Sequence, residues 1–213
     1  PEDIGYKALA VNLSDLAAAG AIPRAFFLTI GLPVRDDAWL AGFTKGMTEL
    51  SRQAGCPLLG GDTTRTAKVG DIHAPVTISI TAMGELPQSM GLTRAGARPG
   101  DDIWVSGCVG GAWAALMHRW GKLTLDARVF PSAALAMDRP NPRNALGTAL
   151  LSSATACADI SDGLAQDLGH ILERSGVDAD VLWDAVPKHP ALAALSQEQQ
   201  VEACLLYTSP SPR

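Results

Sequence analysis

A mixed α/β fold is predicted for this 213-residue chain on three observations. Helix-forming amphipathic stretches alternate with short apolar runs bounded by Gly and Pro through roughly the first 90 residues. A second part repeats that alternation after "GLTRAGARPGDD" (91–102), a stretch rich in Gly, Pro and charge that reads as a domain boundary. Hydrophobic content of 47% and charged content of 18% are those of an ordinary globular protein with cores to fill.

The elements follow in order. "PEDIGYKALAVNLSDLAAAGA" reads as a helix stopped at Gly20, with Ile4, Ala8, Val11 and Leu16 as its apolar positions. "RAFFLTIGLP" is a buried strand. "DDAWLAGFTKGMTELSRQAG" is a second helix, with Trp39, Phe43, Met47 and Leu50 on one stripe and Gly55 as its stop. "CPLLG" and "APVTISITAMGEL" are strands, and the long stretch joining Thr64 to Arg94 suggests an extended hairpin. Beyond the boundary, "DIWVSG" is a predicted strand and "GGAWAALMHRWG" a helix. Loop and short helix are expected over 123–144, where prolines recur. "RNALGTALLSS" is helical and "TACADI" a short strand. "SDGLAQDLGHILERSG" is a helix capped by Ser161 or Asp162, and "DADVLWDAVP" is a closing strand. "SQEQQVEA" looks helical. "CLLYTSPSPR" (204–213) then turns abruptly to Ser and Pro and can be spelled by a transposase-adapter oligonucleotide, so it reads as a foreign tail.

Several functional classes are excluded. A net charge of −5 with no clustered basic face argues against nucleic acid, though not against a phosphorylated ligand held through bridging Mg²⁺. No run has transmembrane length and no signal peptide opens the chain, and its start at Pro1 is expected to fall mid-domain. Cys56, Cys108, Cys157 and Cys204 lie far apart without CxxC spacing; reduced, mostly buried thiols and a cytoplasmic location are expected. There is no GxxxxGK[ST] and no GxGxxG. His73, His118, His170 and His189 occupy unrelated contexts.

What recurs is Asp beside small or hydroxyl residues. Asp15 lies in "NLSDLAAAG", on a helix rich in Ala and Leu, where it is either a solvent-facing residue or a ligand. Asp62 follows two glycines in "GGDTTR", which serves equally as a strand-ending turn or as a phosphate- and metal-binding loop. Asp159 and Asp162 flank Ser161 in "ADISDGL", where capping is the simplest role. Jointly, converging carboxylates call for cations between them. Arg94 offers a forked contact to phosphate.

Together, "GYKALAVNLSDLAAAGAIP", "LLGGDTTR", "LTRAGARPGD" and "ADISDGLAQDLGHI" resemble the thiamine-monophosphate kinases, in order from Pro1 to about Ala203. That family is grouped with aminoimidazole-ribonucleotide synthase and selenophosphate synthetase. "VNLSDLAAAGA" and "DISDGLAQDLGHI" favour the kinase over these relatives. The resemblance implies a two-domain, aminoimidazole-ribonucleotide-synthase-like fold. Residues 1–90 would form an N-terminal mixed-sheet domain that pairs in a homodimer, and 91–203 a C-terminal α/β domain. It further implies ATP as phosphoryl donor, bound in a cleft, thiamine monophosphate as acceptor, and Mg²⁺ ions held by aspartates. By motif, Asp15, Asp62, Asp159 and Asp162 are expected as metal ligands, and Gly61, Asp62, Arg94 and Ser161 as nucleotide contacts. Under this resemblance the "GGDTTR" turn becomes a loop in which Gly61 admits ATP and Asp62 holds Mg²⁺. No acid or base residue is assigned. Family segments expected before Pro1 and after Ala203 are missing, so the 213-residue chain alone is expected to be inactive.

Overall fold

The computed structural model describes residues 1–70, 72–87 and 90–206. Two units emerge, one of Pro1–Gly91 with Asn141–Leu151, the other of Leu92–Pro140 with the chain from Ser152 onward. Each has its own apolar core.

In the first unit, α1 (Glu2–Ala18) and α2 (Asp37–Gln53) pack on a sheet ordered β2-β1-β5. The central strand β1 (Ile22–Leu32) runs parallel to β2 (Leu58–Arg65) and antiparallel to β5 (Thr77–Glu85), so the sheet is mixed. Between β2 and β5, β3 (Lys68–Val69) and β4 (Ile72–His73) form the expected hairpin. Phe26, Ile30 and Leu32 of β1 meet Leu9, Leu13, Phe43, Met47 and Leu50 in the core. Asp36 caps α2, accepting from the Trp39 N–H at 2.9 Å, and Gly55 ends the segment at φ +60°.

The face α1 buries differs from the predicted one. Tyr6, Leu9, Leu13 and Ala17 are buried, Ala8 and Leu16 partly so, while Ile4 and Val11 stay nearly half exposed. The reason lies in the seam with α2. A Cβ on Gly5 would overlap the Phe43 carbonyl, and one on Gly46 the Glu2 carbonyl. The two backbones approach through glycine, and that close approach, rather than the larger apolar residues, selects the face. Gly5→Ala is therefore expected to destabilise the unit by about 2 kcal/mol, overpacking outweighing the roughly 1 kcal/mol of helix propensity gained. Thermal melting checks this; a melting temperature equal to or above the original would show that the seam has slack.

The helix α5 (Asn144–Leu150), which the sequence reading leaves within 91–203, packs instead on α1 in the first unit. Asn144 Nδ2 donates to the Leu13 carbonyl at 2.8 Å, and the Gly147 position abuts the Ala17 carbonyl so closely that a Cβ would overlap it.

The second unit is built on α3 (Gly111–Arg119), α4 (Phe130–Asp138), α6 (Leu164–Ser175) and the short α7 (Gln197–Val201). Trp113, Ala114, Leu116, Ala133, Met137, Leu164 and Leu192 supply its core. Helix α3 starts from Gly110 at φ +88° as expected, and Ser196 and Gln199 form a capping box on α7. Three predicted strands, "DIWVSG", "TACADI" and "DADVLWDAVP", carry no ladder among the described residues; the last contains a 3₁₀ turn, Trp183–Ala185. Apolar alternation specifies a strand only where another backbone pairs with it. Here pairing reduces to single links, such as Cys157 N–H to the Thr93 carbonyl at 2.9 Å.

The cysteines are free. Cys56 and Cys204 are buried and Cys157 partly so, and burial pushes all three thiols up, which keeps them neutral and unreactive. Cys108 is exposed. Of the expected foreign tail, Tyr207–Arg213 lies outside the described residues, whereas Cys204 fills core space beside Val109. Among the described residues no helix is long and apolar enough to cross a membrane.

Candidate functional site

In the first unit the stretch Gly60–Arg65 is not a turn. It is strand throughout, with Gly61 opposite Leu28 and Asp62 opposite Thr29 of β1. The register steps from Phe26↔Leu58 to Phe27↔Gly60, so Leu59 forms a bulge just before the glycines. A parallel neighbour thus replaces the reverse turn that the composition suggests. The two glycines differ. A Cβ on Gly60 would meet only the Phe27 ring, at 3.6 Å, an ordinary contact; one on Gly61 would overlap the Leu28 carbonyl. Gly61 is glycine because β1 leaves no room, a demand of the fold that exists before any nucleotide arrives. Asp62 is exposed on this edge strand.

Asp15 lies exposed in the last turn of α1, a turn with no basic residue. Carbonyls at a helix C-terminus carry partial negative charge, so a carboxylate there costs about 0.3–1 kcal/mol and favours a nearby cation.

In the second unit, Arg94 is exposed on a loop held by the far end of α6. Ser175 Oγ accepts from the Gly96 and Ala97 N–H groups at 3.2 and 3.1 Å and donates to the Arg94 carbonyl at 3.3 Å. The same loop is stitched to the segment before "DISDG". Thr155 donates to Asp101 at 2.7 Å, Arg98 N–H donates to the same oxygen at 2.9 Å, and Gly96 abuts the Thr155 carbonyl. The Thr155 hydroxyl, followed by the Arg98 amide, holds the Asp101 carboxyl below its usual range.

Ser161 is exposed, and Asp159 and Asp162 are half-buried, at the start of α6. The expected cap is absent: Gly163, at φ +130°, occupies the N-cap with no side-chain bond. Instead Asp167, within α6, reaches back. Its Oδ2 accepts from the N–H groups of Ser161, Asp162 and Gly163 at 2.8, 3.1 and 3.2 Å. Asp167 and Ser175 were both missed in the sequence, where polar helix residues read as solvent-facing. A signal existed for Asp167: it lies four residues beyond Gly163, where a carboxylate meets the orphan amides of a helix start.

Two histidines, His118 and His189, serve structure. His118 Nδ1 accepts from the Leu125 N–H at 3.1 Å, its ring 4.4 Å from Phe130. His189 caps the turn Pro190–Leu192, and burial pushes its pKa down.

Taken unit by unit, no three His, Cys, Asp or Glu side chains gather as a metal site among the described residues. The predicted donors are all carboxylates on accessible loops, edges and helix ends. That hard-oxygen set fits Mg²⁺ and suits neither zinc nor a redox metal.

The family profile described as AIR synthase related protein, N-terminal domain, matches residues 1–86. The thiamine-monophosphate kinase of Salmonella typhimurium is 41% identical over 196 residues, 90% of this chain and 57% of that protein. A crystal structure of thiamine-monophosphate kinase from Stenotrophomonas maltophilia superposes with a TM-score of 0.89 at 41% identity, covering 98% of this chain and 65% of that one. A structure described as AaThiL complexed with AMPPCP and TMP gives 0.84 at 27% identity, covering 98% and 66%. The profile match and the mixed sheet together give residues 1–86 the α/β architecture of an AIR synthase related N-terminal domain. Across some 90% of its length the chain is similar to the thiamine-monophosphate kinases. It spans 57% of the length of the Salmonella relative.

Proposed function

We propose that the protein transfers the γ-phosphoryl group of ATP to thiamine monophosphate, giving thiamine diphosphate and ADP. The observation that carries this reading is the 41% identity to a thiamine-monophosphate kinase across 90% of the chain. The relative solved with AMPPCP and TMP supports it. An oxygen of the acceptor phosphate forms the new P–O bond as the bond from the γ-phosphorus to the β–γ bridging oxygen breaks. The acceptor is already ionised near neutral pH, its second pKa being about 6, so no general base is needed. This agrees with the structural roles of His118 and His189.

Asp15 and Asp62 in the first unit, and Asp159 and Asp162 in the second, are assigned as carboxylates that would hold Mg²⁺. When bound, Mg²⁺ neutralises charge on the crowded phosphate oxygens. Asp62 and Gly61 would meet the nucleotide at the edge strand, Arg94 would fork onto a phosphate, and the Ser161 hydroxyl would donate to one. A homodimer formed through the first unit's sheet is part of the proposal. Phe27, Leu58, Leu59 and Met83 leave apolar surface there, each between 39% and 61% exposed. A cytoplasmic location completes it.

The test is direct. The complete gene product, given thiamine monophosphate and ATP with Mg²⁺, is expected to form thiamine diphosphate and ADP in equal amounts, and neither when Mg²⁺ is chelated. Folded protein that makes no thiamine diphosphate would overturn the assignment.

A further inference from the structure

Asp167 is a buried carboxylate, 5% exposed, in the first turn of α6. One of its oxygens receives three consecutive backbone N–H groups, those of residues 161, 162 and 163. Consecutive amides that converge on a point form a nest, the concavity with which loops capture phosphate and other anions. Here the nest is already filled, by a carboxylate from the same chain. Burial of that charge is tolerable because three donors satisfy it. Gly163 makes the geometry possible, since φ +130° is strained for any residue with a Cβ.

We propose that Asp167 is a positioning residue that sets which charge the "DISDG" loop receives. With the amides turned onto Asp167, the polar groups the loop has left are the Ser161 hydroxyl and the half-buried Asp159 and Asp162 carboxylates, the last accepting from Gln166 Nε2 at 3.3 Å. The loop is thereby switched from an anion nest to a holder of a divalent cation. Asp167 touches neither metal nor nucleotide; it acts through the backbone of its neighbours. The inference rests on the reading of Asp159 and Asp162 as Mg²⁺ ligands.

The test uses the complete gene product with AMPPCP and Mn²⁺ as the spectroscopic stand-in for Mg²⁺, free Mn²⁺ being read by electron paramagnetic resonance. Asp167→Ala is expected to weaken Mn²⁺ binding at least tenfold. Asp167→Asn keeps an acceptor oxygen for the amides and is expected to stay within threefold of the original. Hydrogen exchange is expected to show the amides of Ser161, Asp162 and Gly163 protected in the unaltered protein and in Asp167→Asn. A folded Asp167→Ala variant with the original Mn²⁺ affinity would overturn the inference. So would loss of binding in a folded Asp167→Asn variant, because Asp167 would then be acting by charge. If Asp167→Ala does not fold, the exchange data decide: unprotected amides at 161–163 in the unaltered protein sink the proposal and protected ones, with Asp167→Asn binding normally, support it. If the unaltered protein binds no Mn²⁺, the metal-ligand reading itself falls, an outcome distinct from one in which it binds and the alanine variant binds equally well.

Discussion

Asp62→Asn in the complete gene product is expected to lower Mg²⁺-dependent turnover on the order of 100-fold or more, and to raise the Mg²⁺ concentration needed for half-maximal rate. The melting temperature is expected to stay within about 2 °C, since surface substitutions usually cost under roughly 0.5 kcal/mol. The separation between these effects comes from where Asp62 sits. It is exposed on an edge strand, paired through its backbone with β1, and Asn has the same shape and leaves that pairing intact. What Asn removes is the charge, and charge is what a hard cation needs from this side chain. Steady-state kinetics across a Mg²⁺ titration, beside a thermal melt, read both quantities. Turnover equal to the unaltered enzyme would remove Asp62 from the metal-ligand set.

Gly61→Ala is expected to show the opposite pattern, a loss of stability that precedes any effect of ligand. The added Cβ would overlap the Leu28 carbonyl, and that carbonyl belongs to the central strand of the sheet. Backbone cannot swing aside as a side chain does, so β1 and β2 must part locally. Overpacking of this kind, with a strained φ, costs about 3 kcal/mol or more. In a unit of this size that corresponds to a fall in melting temperature of roughly 12 °C or more, at about 4–8 °C per kcal/mol. Gly60→Ala is the control, expected to cost less than about 1 kcal/mol because only the Phe27 ring lies near. Equal melting of the two variants would show that the strand spacing adapts. It would also return the explanation of Gly61 to the nucleotide.

The contrast between the two glycines marks what the sequence makes legible. Helices were readable because their period, caps and glycine stops are local: α2 follows its Trp39–Phe43–Met47–Leu50 stripe from Asp36 to Gly55. The face of α1 was not readable, because Gly5 and Gly46 act by letting two backbones touch, and a glycine carries no sign of its partner. Strand identity failed in the same way. "GGDTTR" has the composition of a turn and becomes strand because β1 lies alongside, while "DIWVSG" has the pattern of a strand and finds no ladder. Pairing is a property of two segments, and one segment cannot announce it.

For the candidate site, single motifs left each Asp open between capping, solvent exposure and ligation. The residues that shape the loops were hidden further, since Asp167 and Ser175 look like ordinary polar positions on α6. Their importance lies in bonds to amides four to six residues before Asp167 and some 80 residues before Ser175.

The return of α5 to the first unit has a consequence during synthesis. A nascent chain that has just emerged through Gly91 has β1 to β5 but not the helix that packs at Leu13 and Ala17. About 60 more residues must be made before Leu151 appears, which on a ribosome adding roughly 5–20 residues per second is a wait of about 3–12 s. Through that interval α1 has an uncovered face, and the second unit has begun to form inside the first unit's sequence. Neither unit is a contiguous cassette, so a gene cut between them separates α1 from the helix that completes its packing.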